Sequence, residues 1–569
     1  MSKRALLCSI PLLSFACGDD GETRESATST ITVPTASNPS LTATGPDDPT
    51  GGEPSGDGTA GATGTTTSGD PTVALTGDAT SLTTTAPEGT TATTGPVDPD
   101  TGSTSPDAST STTEPIDVCK VQDDMDAMVP CTDEAPPNSF EPDIQWVWPG
   151  QDGETQIAVT PVVANMTDDN GDGAIDLCDV PDIIVPVYTA SYWTGSMYVF
   201  DGATGAVHFK VPDVGALTYP AVADIDNDGL PEILTGRSNM GQSSGSLMAL
   251  EHDGTVKWTS AMQYEIGSSA IAVADIDHDG DVEIVHHGHV FDHNGVLLWS
   301  QFSMGDYVNT IADLDGDDNM EVILGPRAFR HDGSMYYNVP IAEGHPQVAD
   351  LDGDGEPEVL VVSASGLSLI EHTGTLTYSN MVGNLARWQP ASIHDFDGDK
   401  QPEFAVSSGN TYSVFETNLQ PKWTVNIQDG SGYASSTAFD FLGDGTAEAM
   451  YADEVNLFIF DGNGQPLLTS PRSSWTQWEM PIVADVDNDG SAEIVVVSNG
   501  GSPPLQVVRD KMDRWIPARR IWNQHTYHVT NVREDGTIPQ LEPKHWKTFN
   551  TFRTQAQIAN GGVCQPIPQ

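Results

Sequence analysis

Positive charge is what this chain has least of. Against 82 Asp and Glu stand only 22 Lys and Arg in 569 residues, a formal charge of −60. No basic stripe exists to neutralise phosphates, so nucleic acid is excluded as a partner. Long apolar runs are also missing: the run at residues 5–15 is too short to span a bilayer, and no other serves. Between residues 168 and 493 there is no helical periodicity and no capping pattern.

What is present is an acidic loop, repeated. Residues 223–233 read Ala-Asp-Ile-Asp-Asn-Asp-Gly-Leu-Pro-Glu-Ile, which places carboxylates at relative positions 1, 3, 5 and 9 and a glycine at position 6. Alternate acids in a tight turn can aim their oxygens at one centre, and hard oxygen ligands in that number point to Ca2+. Copies start at Asp168, Asp224, Asp275, Asp313, Asp350, Asp395, Asp440 and Asp485, at intervals of 37 to 56 residues. A repeat of that period marks a propeller or a solenoid.

Seven copies supply the candidate ligand sets. They are Asp168, Asn170, Asp172 and Asp176; Asp224, Asp226, Asp228 and Glu232; Asp275, Asp277, Asp279 and Glu283; Asp313, Asp315, Asp317 and Glu321; Asp350, Asp352, Asp354 and Glu358; Asp395, Asp397, Asp399 and Glu403; and Asp485, Asp487, Asp489 and Glu493. Asp318 and Lys400 replace the position-6 glycine in the fourth and sixth copies. Lys400 is expected to weaken its site. The seventh copy has Leu442 at position 3 and is expected to bind calcium poorly.

The flanks of each loop are short β-branched runs, such as Ile482-Val483-Ala484 before and Glu493-Ile494-Val495-Val496-Val497 after, which read as buried strands. A third strand ends in a turn signal, as in Phe460-Asp461-Gly462-Asn463-Gly464. A fourth carries an aromatic: Trp258, Trp299, Trp423. Four strands in about 45 residues make one propeller blade. The expected fold is therefore all-β, a β-propeller of four-stranded blades, eight in number, with seven plus a flanking hairpin as the alternative. Ile144-Gln145-Trp146-Val147-Trp148 reads as a fourth strand without a blade of its own, able to complete the blade begun at Asp485 and leave no exposed edge.

The arrangement resembles the FG-GAP/VCBS repeat family of calcium-loop propellers, to which integrin α-subunit heads belong, over residues 140–525. The resemblance implies calcium held by positions 1, 3, 5 and 9 together with the position-7 carbonyl. EF-hand and dockerin loops need flanking helices, thrombospondin-type repeats pack their loops almost back to back, and RTX repeats need Gly-Gly-x-Gly-x-Asp runs. None of these fits.

Residues 1–16 read as a secretory signal peptide, and Cys17 after Ala16 resembles a lipobox cysteine that would carry a lipid anchor. Lipoboxes usually hold Leu where Ser14 stands, so ordinary cleavage and secretion is the other reading. Residues 17–117 are Thr, Ser, Gly, Pro and Asp, a composition that cannot bury enough apolar surface to fold. As a coil they would reach on the order of 50–60 Å, a tether between a membrane and a folded head. A lead-in, 118–139, precedes the propeller, and 526–569 form an aromatic tail.

Four cysteines lie beyond the leader: Cys119, Cys131, Cys178 and Cys564. An even set in an exported chain suggests two disulfides, with three connectivities open. The local pairing is Cys119 with Cys131, leaving Cys178 with Cys564. The tail, with Trp515, Arg519, Arg520, Trp522, His525, Tyr527 and His528 leading into it, reads as a clasp on the ring rather than a sugar-stacking platform or a catalytic patch. Histidines at 286, 287, 289 and 293 fall in a strand and hairpin, where His287 and His289 would share a face.

The expected function is a non-enzymatic, calcium-stabilised binding head exported to an outer membrane or cell surface. Its partner would be a surface glycan or protein, and its only membrane contact the lipid anchor. A polysaccharide hydrolase or lyase on the same ring is the alternative, since paired carboxylates are assembled in space; a purely structural envelope component is a third.

Overall fold

A computed structural model of the chain describes residues 119–565, apart from 122–124, 126–128, 240, 302–307, 381–387 and 560. The expected signal peptide, the lipidated Cys17 and the tether at 17–117 lie outside the described residues. No helix among the described residues is long and apolar enough to cross a membrane.

The described chain is nearly all β. Most of its strands fall into eight consecutive four-stranded antiparallel units whose first strands are Val162–Ala164, Ala221–Ala223, Ala272–Ala274, Thr310–Ala312, Gly344–Ala349, Ser392–His394, Ser436–Phe439 and Ile482–Ala484. We number the units 1 to 8 in that order. In unit 2, Ala221–Ala223 pairs with Glu232–Ser238, then Ser244–Leu250, then Val256–Thr259. Units 1 and 2 join through a single pairing, Val214 with Arg237. Unit 8 takes its fourth strand from the other end of the chain: Pro142–Trp148 pairs antiparallel with Leu505–Asp510. The N-terminal strand that lacked a unit is thus used to cover an edge, which would otherwise expose a row of unpaired backbone groups.

A repeated aromatic staple joins neighbours. The fourth-strand aromatic of one unit lies under the last glycine of the turn that follows the third strand of the next. Trp258 of unit 2 packs where a Cβ on Gly295 would stand, Trp299 packs likewise under Gly333, and Trp423 under Gly464. The indole N–H of Trp258 donates to His293 O at 2.9 Å and that of Trp299 to His331 O at 2.7 Å. Trp146, in the N-terminal strand, makes the same contact from unit 8 to unit 1, donating to Gly202 O at 2.7 Å and lying under Gly205. A methyl group at these glycines would meet ring atoms at under 3 Å, so close approach selects glycine here as much as the left-handed φ does.

The C-terminal segment crosses the first strands. Trp522 bridges Val163 in unit 1, Val222 N donates to Asn523 O in unit 2, and Gln524 Oε1 accepts Val273 N in unit 3. Lys544 pairs with Asp313 in the loop of unit 4 at 2.8 Å, and His545 bonds Val348 O in unit 5. Phe552 bridges Ile393 in unit 6, Arg553 donates to Ser436 O in unit 7, and Gln555 donates to Val483 O in unit 8. Trp515, Trp522, Tyr527, Trp546 and Phe552 are buried. These rings are clasp material and are not available to stack on a sugar.

The disulfides differ from the local pairing expected. Cys119 joins Cys178, and Cys131 joins Cys564. The lead-in is threaded between the first loop and the C-terminus: Leu177 N donates to Cys119 O, and Cys131 N to Gln565 O. Sequence proximity of Cys119 and Cys131 therefore counts for less than where each half of the lead-in docks.

Candidate metal centres

Each acidic loop links the first and second strands of its unit. The residue before position 1 pairs with the position-9 acid, as Ala223 does with Glu232, Ala349 with Glu358 and Ala484 with Glu493. Position 9 is therefore the first residue of the second strand, and its carboxyl points back under the loop. One of its oxygens is fixed by the N–H of position 2: Ile225 to Glu232 at 3.0 Å, Ile276 to Glu283 at 3.0 Å, Leu314 to Glu321 at 2.9 Å, Leu351 to Glu358 at 2.7 Å, Phe396 to Glu403 at 2.8 Å and Val486 to Glu493 at 3.0 Å. Position 2 is apolar and buried in these loops, which anchors that N–H in the core.

The position-1 aspartate closes the turn. In unit 5, Asp350 accepts Gly353 N at 2.7 Å and Gly355 N at 3.0 Å. Positions 4 and 6 both take positive φ: Asn227 and Gly229 have 58° and 89°, and Gly398 and Lys400 have 80° and 73°. The Gly, Asn or His found at position 4 of every copy is a signal that the sequence reading passed over. At position 6, Asp318 and Lys400 adopt the same left-handed backbone at φ 73°. A Cβ on Gly229, Gly355 or Gly490 would meet nothing within 4 Å, so the preference there is for backbone conformation rather than space.

The side chains converge as the spacing requires. One carboxylate oxygen each from Asp395, Asp397, Asp399 and Glu403 lie within 4.8 Å of one another, and the same holds for Asp224, Asp226 and Asp228. Lys400 does not disturb its loop; it is exposed and contributes its N–H to Asp395 at 2.8 Å.

Burial makes these groups costly as anions. It pushes Glu283, Glu321, Glu358 and Glu403 up to about 8, with the loop aspartates adding repulsion. Burial also takes Asp485 up to about 7 and Glu493 well above the usual range. Three ninth-position glutamates keep a buried oxygen with no hydrogen-bond partner, Glu358 Oε1, Glu403 Oε1 and Glu493 Oε1, and Asp485 Oδ1 is another such atom. A buried carboxylate oxygen without a donor costs roughly 1–3 kcal/mol or more. A hard divalent cation bound through oxygen is what such a donor set fits.

In unit 2 a lysine does part of that work. Lys257, on the fourth strand, places Nζ 2.6 Å from Asp226, 3.0 Å from Glu232 Oε1 and 3.2 Å from Glu251. With that partner, burial takes Glu232 only to about 7. Lys422 of unit 6 sits equivalently against Asp397 and, at 3.2 Å, Glu416. His208 of unit 1 lies 3.3 Å from Asp182. In unit 8 the same place holds Gln145, which donates to Asp487 at 2.6 Å. These fourth-strand residues were missed because the acids they meet lie far away in sequence.

Two loops depart from the repeat. In unit 1, Ala164 pairs with Asp182, not Asp176. The loop carries an insertion, so the strand-start acid is Asp182, which accepts Met166 N at 2.9 Å and is raised well above the carboxylate range by burial. Asp168 still closes its turn on Gly171, Asp172 and Gly173, whereas Asp176 accepts Cys178 N at 2.9 Å. In unit 7, Leu442 O accepts Ala135 N, and Gly443 packs against Asp133 O and Ile516. The copy that lost its position-3 ligand is the one the lead-in covers.

The histidines of unit 3 arrange otherwise than expected. His287 and Gly288 form the two-residue turn, with φ 55° and 72°, so His286 and His289 are the cross-strand pair. Tyr264 OH lies 2.8 Å from His286, Ser300 Oγ 2.8 Å from His289, and Gly267 O 3.1 Å from His287. These rings are engaged in hydrogen bonds within the unit and its neighbour.

No family model matches this chain, and no curated protein does. Among solved structures, the V. cholerae biofilm matrix protein Bap1 is similar with a TM-score of 0.64 and 20% identity, over 75% of this chain and 100% of that one. At that identity the likeness is one of fold. The rhamnogalacturonan lyase YesW matches with a TM-score of 0.46 and 16% identity, over 76% of this chain and 84% of its own. A Bacillus licheniformis rhamnogalacturonan lyase, PL11, matches at 0.46 and 17%, over 78% and 82%.

Proposed function

We propose that this chain is an eight-bladed β-propeller whose acidic loops carry calcium, and that it serves as a non-enzymatic glycan-binding head on a bacterial surface or in its matrix. Residues 1–16 would export it, 17–117 would tether it, and Cys17 would be its lipid anchor. The propeller reading is supported by eight four-stranded units in succession and by the staple from Trp146 that links the last to the first. The calcium reading is supported by the orphaned buried oxygens of Asp485, Glu358, Glu403 and Glu493. A cation shared among each set would offset the repulsion of its carboxylates and fix the link between first and second strands.

The binding reading rests on a division between the two ends of the units. Antiparallel strands send the acidic loops and third-to-fourth strand turns to one end, where the stretch of the clasp from Gly536 to Asn550 also packs. The other end carries exposed aromatics. Trp475 is 71% exposed and Tyr192 is 44% exposed. They are linked through Asn499 and Tyr188: Trp475 N donates to Asn499 O at 2.8 Å, and Tyr188, which packs edge-on to Tyr192, donates its hydroxyl to the Asn499 side chain. Exposed rings held by a rigid frame can stack on sugar faces at low entropic cost. The likeness in fold to a biofilm matrix protein is consistent with a role among extracellular polysaccharides.

The test is retention of the full chain on a panel of immobilised polysaccharides in millimolar calcium, alongside the double variant Trp475→Ala, Tyr192→Ala. Retention on one glycan, lost in the variant, is the expected result. No retention on any glycan, or equal retention by both proteins, would sink the proposal.

A further inference from the structure

The C-terminal clasp contains a cluster of another chemistry. His528 and His545 lie with ring centroids 4.4 Å apart, and ligand atoms of His528, Glu542 and His545 all fall within 4.8 Å of one another. His545 is fully buried and His528 nearly so, while Glu542 reaches solvent. Each imidazole is anchored at its far nitrogen on a backbone carbonyl: His545 Nε2 lies 2.9 Å from Val348 O, and His528 Nδ1 lies 3.2 Å from Thr526 O. A ring nitrogen facing a carbonyl must carry the proton. His545 Nδ1 then bears a lone pair turned into the cluster, while His528 Nε2, facing the Glu542 carboxylate, holds a proton that a bound metal ion would displace.

His545 Nδ1 has no hydrogen-bond partner although the residue is 0% exposed. Glu542 supplies the anion, with Oε1 2.7 Å from His528 Nε2 and receiving the Thr530 hydroxyl at 2.8 Å. Phe552 stacks on His528 and packs against His545, which fixes both planes. Two imidazoles oriented by backbone carbonyls and one hydrogen-bonded carboxylate match the ligand-and-support pattern of metal-binding histidines. Nitrogen donors do not suit calcium.

We propose that His528 Nε2, His545 Nδ1 and the Glu542 carboxylate bind one divalent transition metal of the zinc class, with water completing the coordination. The ion has a structural role. His545 is already bonded to unit 5, so the metal ties the stretch 528–545 into a closed loop seated on the ring, where neither disulfide reaches. This site is independent of calcium in the acidic loops.

The test uses the full chain stripped with chelator and titrated with Co2+, then Zn2+, in millimolar calcium. One Co2+ per chain is expected, with the strong visible bands of a low-coordinate nitrogen-ligated ion, displaced by one equivalent of Zn2+. Glu542→Gln, at the solvent side of the cluster, should keep the fold and weaken Co2+ by at least about tenfold. His545→Gln should abolish the bands. Absence of stoichiometric Co2+ binding would overturn the proposal. Bands displaced by calcium, or equally strong in both variants, would place the ion elsewhere and overturn it too.

Discussion

Calcium entering the acidic loops should release protons, and the structure says how many. Moving a buried glutamate from its ordinary 4.5 to about 8 corresponds to about 5 kcal/mol in full, and to about 2–3 kcal/mol once solvent at the loop surface is allowed for. Four such groups ionised together would cost about 10 kcal/mol, as much as the whole stability of an ordinary domain. Without a cation the fold therefore keeps them protonated near neutrality. At pH 7 a group at about 8 is roughly nine-tenths protonated and one at about 7, such as Glu232, is about half, so these five loops should contribute about four protons, to which the unit 8 loop, with Asp485 at about 7 and Glu493 raised further, adds its own. At pH 9 the contribution of the five loops should fall below about one. The assay is calorimetric titration of calcium into stripped protein in buffers of different ionisation enthalpy, where the slope gives the proton count. A slope of zero at pH 7 would refute the reasoning. The sign also fixes stability in chelator. Because the folded values are raised, the stabilisation is complete below about 4.5 and is lost as pH rises through about 8, so stripped protein should melt higher at pH 6 than at pH 9.

Lys257→Met should destabilise the stripped protein by about 1–3 kcal/mol, since it orphans Glu232 Oε1, and should leave the calcium-loaded protein little changed; paired thermal melts measure this. Gly229→Ala should cost about 1–2 kcal/mol from φ 89° alone, and no loss in calorimetry would contradict the conformational account of position 6. Non-reducing peptide mapping should recover Cys131 linked to Cys564 and Cys119 linked to Cys178, and a Cys119–Cys131 peptide would contradict the docking of the lead-in.

The repeat was legible because its chemistry is local. Eleven residues such as 223–233 contain the turn, the ligands and the start of the next strand, and the strand Pro142–Trp148 was recognisable as one short of a unit. What the sequence hid lies between distant residues. Lys257 and Lys422 look like ordinary surface lysines until the fourth strand sets them against loop acids. The insertion in the first loop left a good motif at Asp168 while moving the strand-start role from Asp176 to Asp182, because register is set by pairing with Ala164 and not by motif spacing. His528, Glu542 and His545 meet only because the clasp folds back on itself. The disulfides followed docking of the lead-in, which no local distance foretold.

The central claim is that calcium in the acidic loops holds this fold together. The direct measurement is the thermal unfolding of the full chain at pH 7.5 in millimolar calcium and again after exhaustive chelation. The account predicts one cooperative transition that falls by well over 10 °C on chelation and returns when calcium is restored, since each filled loop adds its own binding free energy to folding. An unchanged melting temperature would contradict it.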